Sequence, residues 1–273
     1  IVFDWENWWA LELDAKPNTN IRYIHQMRAL YAALRALNIA VDFIHPSESL
    51  DGYPLVIAYN LYSASEGFGN KVKEFVANGG TFLTNFFSGI VNENDQVYLG
   101  GYPGLFKEVL GITVEEFQPL KPEIQQQVHF KNKFYENRRW EELIHLQGAI
   151  PLATFTSDFL KDSPAITKHR FGKGLAYYLG TELEQDGLTD LLNDIFSDAK
   201  LKKVAERYLQ ENSELSVTVR QGPTHIFLFL LNHTNDSQQV QFLSEGTALL
   251  SKRKVCELTL APMEVEIIKF AKG

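Results

Sequence analysis

The spacing of apolar residues changes period once along this chain, and that change limits the folds open to it. Up to about residue 200, stretches of helical period alternate with short apolar runs, whereas from Leu215 onward apolar and polar residues alternate at period two. From Ile21 to Asn38, the residues Ile21, Ile24, Met27, Leu30, Leu34 and Leu37 recur at steps of three and four, which predicts a helix with one buried face. Lys16 to Asn20 supply the turn ahead of it, with Asn20 as the expected N-cap. Ala40 to Ile44, Tyr53 to Asn60 and Thr81 to Phe86 read as strands. Ser65 to Ala77 reads as a helix closed by Asn78-Gly79-Gly80, where glycine supplies the left-handed C-cap. Parallel strands need crossovers, and helices at this spacing supply them. The expected class is therefore α/β: a flavodoxin-like, amidotransferase-like doubly wound sheet.

Downstream, Ser88 to Pro119 is glycine-rich and irregular, with a short helix near Leu105 to Leu110. Lys121 to Arg139 is polar and reads as a loop or an inserted hairpin. Trp140 to Thr156, Ala165 to Phe171 and Leu175 to Thr181 read as strands, the last two joined by the turn Gly172-Lys173-Gly174. Leu188 to Phe196 is an amphipathic helix, and the charged stretch Asp198 to Ser213 is expected to be helical and to carry the domain boundary. Leu215 to Val219, Ile226 to Leu231, Gln239 to Phe242, Ala248 to Leu250, Cys256 to Leu260 and Glu264 to Phe270 then predict a small all-β sandwich. The expected division is residues 1–205 and 206–273.

The chain opens on Ile1-Val2-Phe3-Asp4, an apolar run ending in an acid, as at the carboxyl end of a buried parallel strand. It continues into Trp5-Glu6-Asn7-Trp8-Trp9, expected to be an aromatic loop holding three of the four tryptophans. With no initiating methionine and nothing ahead of that strand, the chain reads as a piece of a longer protein.

The search for chemistry is mostly negative. A net charge of -8 argues against a nucleic-acid partner. No apolar run is long enough to span a membrane. The single cysteine, Cys256, rules out an internal disulfide and suggests a reducing, cytoplasmic setting. Seven scattered histidines form no metal-binding pattern, and no cofactor is expected. Asn92-Glu93 has the order seen at the acid/base of many glycoside hydrolases, but it lies in a turn with no barrel to bring up a second carboxylate. The strand-to-helix turn where an amidotransferase-like enzyme places its nucleophile falls near Phe86 to Gly89, which has no cysteine; Ser88 there lacks the G-x-S-x-G elbow. Asn232-His233-Thr234 and Asn235-Asp236-Ser237 fit the glycosylation pattern, and a turn explains them equally well. Trp5, Trp8 and Trp9, with Glu6 and Asn7, remain as candidate contacts, either to a sugar face or to another domain or subunit.

Several blocks carry a resemblance. Phe3-Asp4-Trp5-Glu6-Asn7-Trp8-Trp9-Ala10-Leu11, Val41-Asp42-Phe43, Ser88-Gly89-Ile90-Val91-Asn92-Glu93, Leu99-Gly100-Gly101-Tyr102-Pro103-Gly104, Val109-Leu110-Gly111-Ile112 and Val114-Glu115-Glu116-Phe117 resemble, in that order, the middle domain of family 42 β-galactosidases. Leu258-Thr259-Leu260-Ala261-Pro262 to Val265 is similar to the end of that family's small carboxyl-terminal β domain. The resemblance implies a parent whose amino-terminal TIM barrel carries both catalytic glutamates and sometimes a Cys-bound zinc. Its flavodoxin-like middle domain mediates trimer formation. Nothing here matches the barrel, so neither catalytic glutamate has a counterpart among these residues. The resemblance thus implies a non-catalytic fragment of a retaining β-galactosidase, with its own homotrimer and its own barrel as partners and galactoside met only through the parent. The alternatives are a self-sufficient α/β hydrolase or amidotransferase-like enzyme, and a carbohydrate-binding module built on Trp5, Trp8 and Trp9.

Overall fold

A computed structural model describes residues 1–13, 20–203, 205–210 and 214–272. They group into two compact units, Ile1–Leu30 with Asp42–Asp190 and Tyr31–Val41 with Leu191–Gly273. The turn expected at Lys16 to Asn20 lies outside the described residues except for Asn20.

The chain opens with α1 (Trp5–Leu11), where a loop is expected from the sequence. The cause is local: Asp4 is extended at φ -141° and its carboxylate accepts the Glu6 N–H at 3.0 Å, an N-cap that starts a helical turn. α2 (Tyr23–Ala36) follows the predicted period, and the Tyr23 N–H in its first turn is accepted by Glu12 Oε1 at 3.0 Å. β1 (Leu55–Ala58), α3 (Glu66–Ala77) and β2 (Thr81–Asn85) come next. The Ser65 hydroxyl caps α3 by accepting the Phe68 N–H, and Gly79 at φ +114° ends it. Ala40 to Ile44 forms no strand, only a parallel bridge between Ile44 and Val2, while the Val2 N–H reaches the Ile57 carbonyl at 2.9 Å. The opening residues therefore lie alongside β1.

Beyond a single 3-10 turn (Gly104–Phe106) and α4 (Lys107–Leu110) lie β3 (Ile112–Pro119), β4 (Gln126–Phe130), β5 (Lys133–Arg138), β6 (Trp140–Leu146), β7 (Ile150–Phe155), β8 (Pro164–Phe171), β9 (Gly174–Leu179) and β10 (Glu182–Leu183). The polar stretch of uncertain reading is the β4–β5 hairpin. A curled eight-stranded sheet runs in the order β1-β2-β9-β8-β7-β4-β5-β10, while β3 and β6 pair separately. Within this sheet parallel pairing is confined to β1, β2 and β9; the other neighbours are antiparallel, and two-residue turns join β4 to β5 and β8 to β9. β1 and β10 are the two edges, so the eight strands do not close into a barrel. The core of this unit runs from Val2 and Val56 through Phe68, Phe82 and Phe106 to Ile144 and Tyr178.

The second unit contains part of α5 (Gln185–Asp198) and a five-stranded antiparallel sheet of β11 (Ser216–Gln221), β12 (His225–Leu231), β13 (Gln238–Ala248), β14 (Arg253–Leu260) and β15 (Val265–Ala271), ordered β11-β12-β15-β13-β14. One sheet forms among the described residues where two facing sheets are expected. The predicted strand Gln239 to Phe242 and Ala248 of the next one belong to a single strand, β13, interrupted by a bulge between Gln241 and Gly246, while Leu249 and Leu250 lie in the turn that follows. A bulge bends a strand without ending it, so β13 can pair with β14 along its length and with β15 at Thr247 and Ala248. The helix expected over Asp198 to Ser213 is replaced, among the described residues after α5, by one 3-10 turn at Ala205–Arg207. Asn38 joins the two segments of this unit, its amide bridging the Leu215 carbonyl at 3.1 Å and the Val217 N–H at 2.8 Å.

Candidate functional site

Helical geometry sorts the opening residues onto two faces. Asn7 and Leu11, four apart, are buried, whereas Trp5 and Trp9, also four apart, are 56% and 65% exposed. Glu6 is exposed and Trp8 half-buried. Trp5 lies 5.4 Å from Trp8 and 5.2 Å, edge-on, from Phe3, which also packs edge-on against Phe43. Phe43 is itself 51% exposed, so the outer side of α1 and its surroundings form an aromatic ridge open to solvent.

Asn7 is the exception among the five candidates. It is fully buried, its Nδ2 donates to the Asn60 carbonyl at 3.1 Å and its Oδ1 accepts the Ser63 N–H at 3.0 Å. Both ends of the amide are therefore taken up by the chain. Burial and these two bonds keep the Asn7 amide on the backbone of the loop after β1, away from the exposed aromatic face.

The loops after β1 and β2 form a rigid base beneath α1. Asn60, at φ +47°, sends Nδ2 to the Phe86 carbonyl at 3.0 Å, and its N–H reaches Asn85 Oδ1. Ser88 is fully buried, its hydroxyl accepting the Leu61 N–H at 3.0 Å and lying 3.5 Å from Asn85 Oδ1. A nucleophile needs an approach path and a base, and this hydroxyl has neither. The turn does have elbow-like backbone strain, but the residue with φ +58° is Phe87, a bulky side chain packed on Tyr62 and Trp140. Where a catalytic group would stand there is an aromatic ring.

Below Phe87 lies a feature the sequence search missed. Glu142 is fully buried, accepting Tyr102 Oη–H at 2.9 Å, Trp140 Nε1–H at 2.8 Å and Tyr178 Oη–H at 2.6 Å. Burial raises its pKa to about 7, a rise limited by the bonds from Tyr178, Trp140 and Tyr102. The two tyrosine oxygens are 3.0 Å apart, and the Tyr102 oxygen also accepts the Phe87 N–H. The only available signal was Trp140-Glu141-Glu142 inside an apolar strand pattern, and a single sequence cannot reveal partners 36 and 40 positions away.

The other candidates are structural. Asn92 Oδ1 accepts the N–H groups of Asn94 and Gln96, so Asn92-Glu93 shapes a turn and Glu93 is exposed. Asn232 likewise organises its turn, donating to the carbonyls of Asp236, Leu260 and Ala261. Cys256 is exposed. Among the described residues no three His, Cys, Asp or Glu side chains converge as a metal site, and no helix is long and apolar enough to cross a membrane.

Comparison with known proteins gives a consistent result. Residues 1–202 match the family model described as the β-galactosidase trimerisation domain, and residues 214–270 match the β-galactosidase C-terminal domain. The chain is 46% identical to β-galactosidase LacZ of Heyndrickxia coagulans, covering 98% of this chain and 40% of that protein. It is 43% identical to β-galactosidase BgaB of a Geobacillus strain, covering 90% of this chain and 36% of the relative. Among solved structures, the β-galactosidase from Bacillus circulans sp. alkalophilus superposes with a TM-score of 0.91 at 34% identity, over 98% of this chain and 40% of that one. Gan42B, a GH42 β-galactosidase, gives 0.92 at 32% identity, over 99% and 40%. The chain thus spans about 40% of the length of these relatives.

Proposed function

Because the chain belongs to the family 42 β-galactosidases, as their trimerisation and C-terminal domains, we propose that it is the non-catalytic assembly part of a retaining enzyme that hydrolyses terminal β-galactosides. The observation that carries this reading is the pairing of a solvent-open aromatic ridge with a scaffold in which the Asn7 amide and the Ser88 hydroxyl are buried and bonded to the chain's own backbone. Such a surface suits docking and offers no chemistry. Trp and its neighbours supply large desolvation energy at an interface when they sit on a rigid base.

In this proposal Trp5, Glu6, Trp8 and Trp9 contact protein, either the parent's catalytic barrel or a neighbouring subunit, and Asn7 positions them. The assembly is a homotrimer, its domains divide near 205/206 between the two matched segments, and the parent works in the cytoplasm. The parallel β1-β2-β9 portion with α3 supports a flavodoxin-like ancestry for the first domain. Light scattering at several concentrations is the direct test. Association toward three copies, with a chromogenic galactoside left uncleaved, is the expected result; a strictly monomeric chain at every concentration, or one that turns over galactoside, overturns it.

A second reading rests on the exposure of Trp5 and Trp9, which leaves their faces open to a sugar ring. Saturable quenching of tryptophan fluorescence by galactose or lactose, lost in Trp9→Ala, would favour it.

A further inference from the structure

A cleft opens in the first unit between the loop ahead of β1 and the carboxyl end of α3. Its volume is about 630 Å³, inside the roughly 300–1,000 Å³ of small-molecule sites, and its lining includes Ser49, Asp51, Tyr53, Glu74, Phe75 and Asn78. β1 and β2 are parallel, so Tyr53 and Gly80, just ahead of their first residues, mark one end of the pair, and Asn60 and Asn85 beneath α1 mark the other. No residue of the aromatic ridge lines the cleft, and what binds here is independent of the assembly reading.

The walls are fixed before any guest arrives. Tyr53 and Phe75 are half-buried and pack on the core of the unit. The tip of the Phe75 ring fills the space over Gly80, where an added Cβ would collide with Cζ. Lys71 Nζ holds the loop to α3 by donating to the carbonyls of Pro46 at 3.1 Å, Glu48 at 3.0 Å and Ser47. Ser49 and Asp51 brace each other: the hydroxyl donates to Asp51 Oδ2 at 2.8 Å and accepts the Asp51 N–H at 3.1 Å.

Those bonds decide which chemistry fits. The Lys71 ammonium has spent its three hydrogens on carbonyls and offers no donor to a phosphate or carboxylate. Its charge offsets one of the two acids in the lining, Asp51 and Glu74, so the cleft holds no large excess of negative charge for a cation. Glu74 in the last turn of α3 and Asn78 at its C-cap are four apart and exposed on one side of the helix. With Asp51 they present carboxylate and amide groups that accept from and donate to hydroxyls. Tyr53 and Phe75 supply apolar surface beside them. A pyranose has the same two sides, a C–H face and a rim of hydroxyls.

We propose that this cleft binds a neutral saccharide, with Tyr53 and Phe75 against its C–H face and Asp51, Glu74 and Asn78 on its hydroxyls.

Saturation-transfer NMR titration of the whole chain with lactose, maltose, 1,4-diaminobutane and inorganic phosphate tests it. At least one of the two sugars should bind saturably and more tightly than either charged probe. Its affinity should fall at least about tenfold in Glu74→Ala and in Asn78→Ala, exposed positions whose truncation leaves the core packed, and should be unchanged in Trp9→Ala. No saturable binding of either sugar overturns the proposal. So does tighter binding of the diamine or of phosphate, which would make this a site for charge, and so does sugar binding lost in Trp9→Ala but kept in the two cleft variants, which would place the sugar on the ridge.

Discussion

Replacing Glu142 by glutamine should remove a pH dependence from the stability of this fold while leaving its structure intact. The carboxyl is neutral in the folded chain until about pH 7, against an ordinary value of 4.5 in the unfolded chain. Between those values the folded state holds a proton that the unfolded state has released, so stability falls as pH rises through this window and levels off above it. The interval from 4.5 to about 7, at roughly 1.4 kcal/mol per pH unit, amounts to about 3–4 kcal/mol. That is a large fraction of a typical domain's stability.

The hydrogen bonds explain why glutamine should fit. In the neutral acid, Glu142 Oε2–H donates to Tyr178 Oη, Tyr178 donates across the 3.0 Å contact to Tyr102 Oη, and Tyr102 donates back to Glu142 Oε1, which also accepts Trp140 Nε1–H. Glutamine reproduces every direction, with Nε2 taking the donor role. The ionised carboxylate cannot, because both tyrosines must then donate to it and their mutual contact carries no hydrogen. Urea unfolding at about pH 5 and about pH 8 gives the measure: Glu142→Gln should match the wild type at the lower pH and exceed it by about 3 kcal/mol at the higher one. A glutamine variant weaker by several kcal/mol at both pH values would refute the reasoning, since it would mean that the folded chain holds a charged carboxylate satisfied by three donors.

Asn7→Ala should destabilise the first unit by about 2–4 kcal/mol, because it strands the Ser63 N–H and the Asn60 carbonyl; urea unfolding reads this, and a loss under about 0.5 kcal/mol would show that water replaces the amide. Ser88→Ala should cost about 1–3 kcal/mol by leaving the Leu61 N–H unmet and should change no hydrolytic rate, so esterase turnover abolished by this substitution would restore a nucleophilic role for Ser88. Trp9→Ala, at a side chain 65% exposed, should shift the unfolding midpoint by less than about 2 °C yet lower the association constant at least about tenfold in sedimentation; early unfolding with full association would reverse the assignment.

Much of the architecture was legible because its causes are local. The three- and four-residue steps of α2, the Ser65 cap and Gly79 terminus of α3, the Gly172-Lys173-Gly174 turn between β8 and β9 and the alternation in β11, β12 and β15 are written into neighbouring residues. Where the reading failed, a short-range signal was present but outweighed. Trp5 to Leu11 looked like a loop because bulky aromatics crowd there, yet the Asp4 cap supplies what a helix start needs. A bulge in β13 looked like two strand ends because both interrupt alternation.

The sequence by itself determined the two periodic regimes and the family, since each depends on which residues are present or how near neighbours are spaced. Only the tertiary structure decided that Asn7 turns inward while Trp5 and Trp9 face water, that β2 finds its partner β9 some ninety residues later, and that adjacent Glu141 and Glu142 enter different environments. The physical reason is that burial and hydrogen-bond partnership belong to places in space. A strand points consecutive side chains to opposite faces, and what waits on each face is supplied by distant parts of the chain.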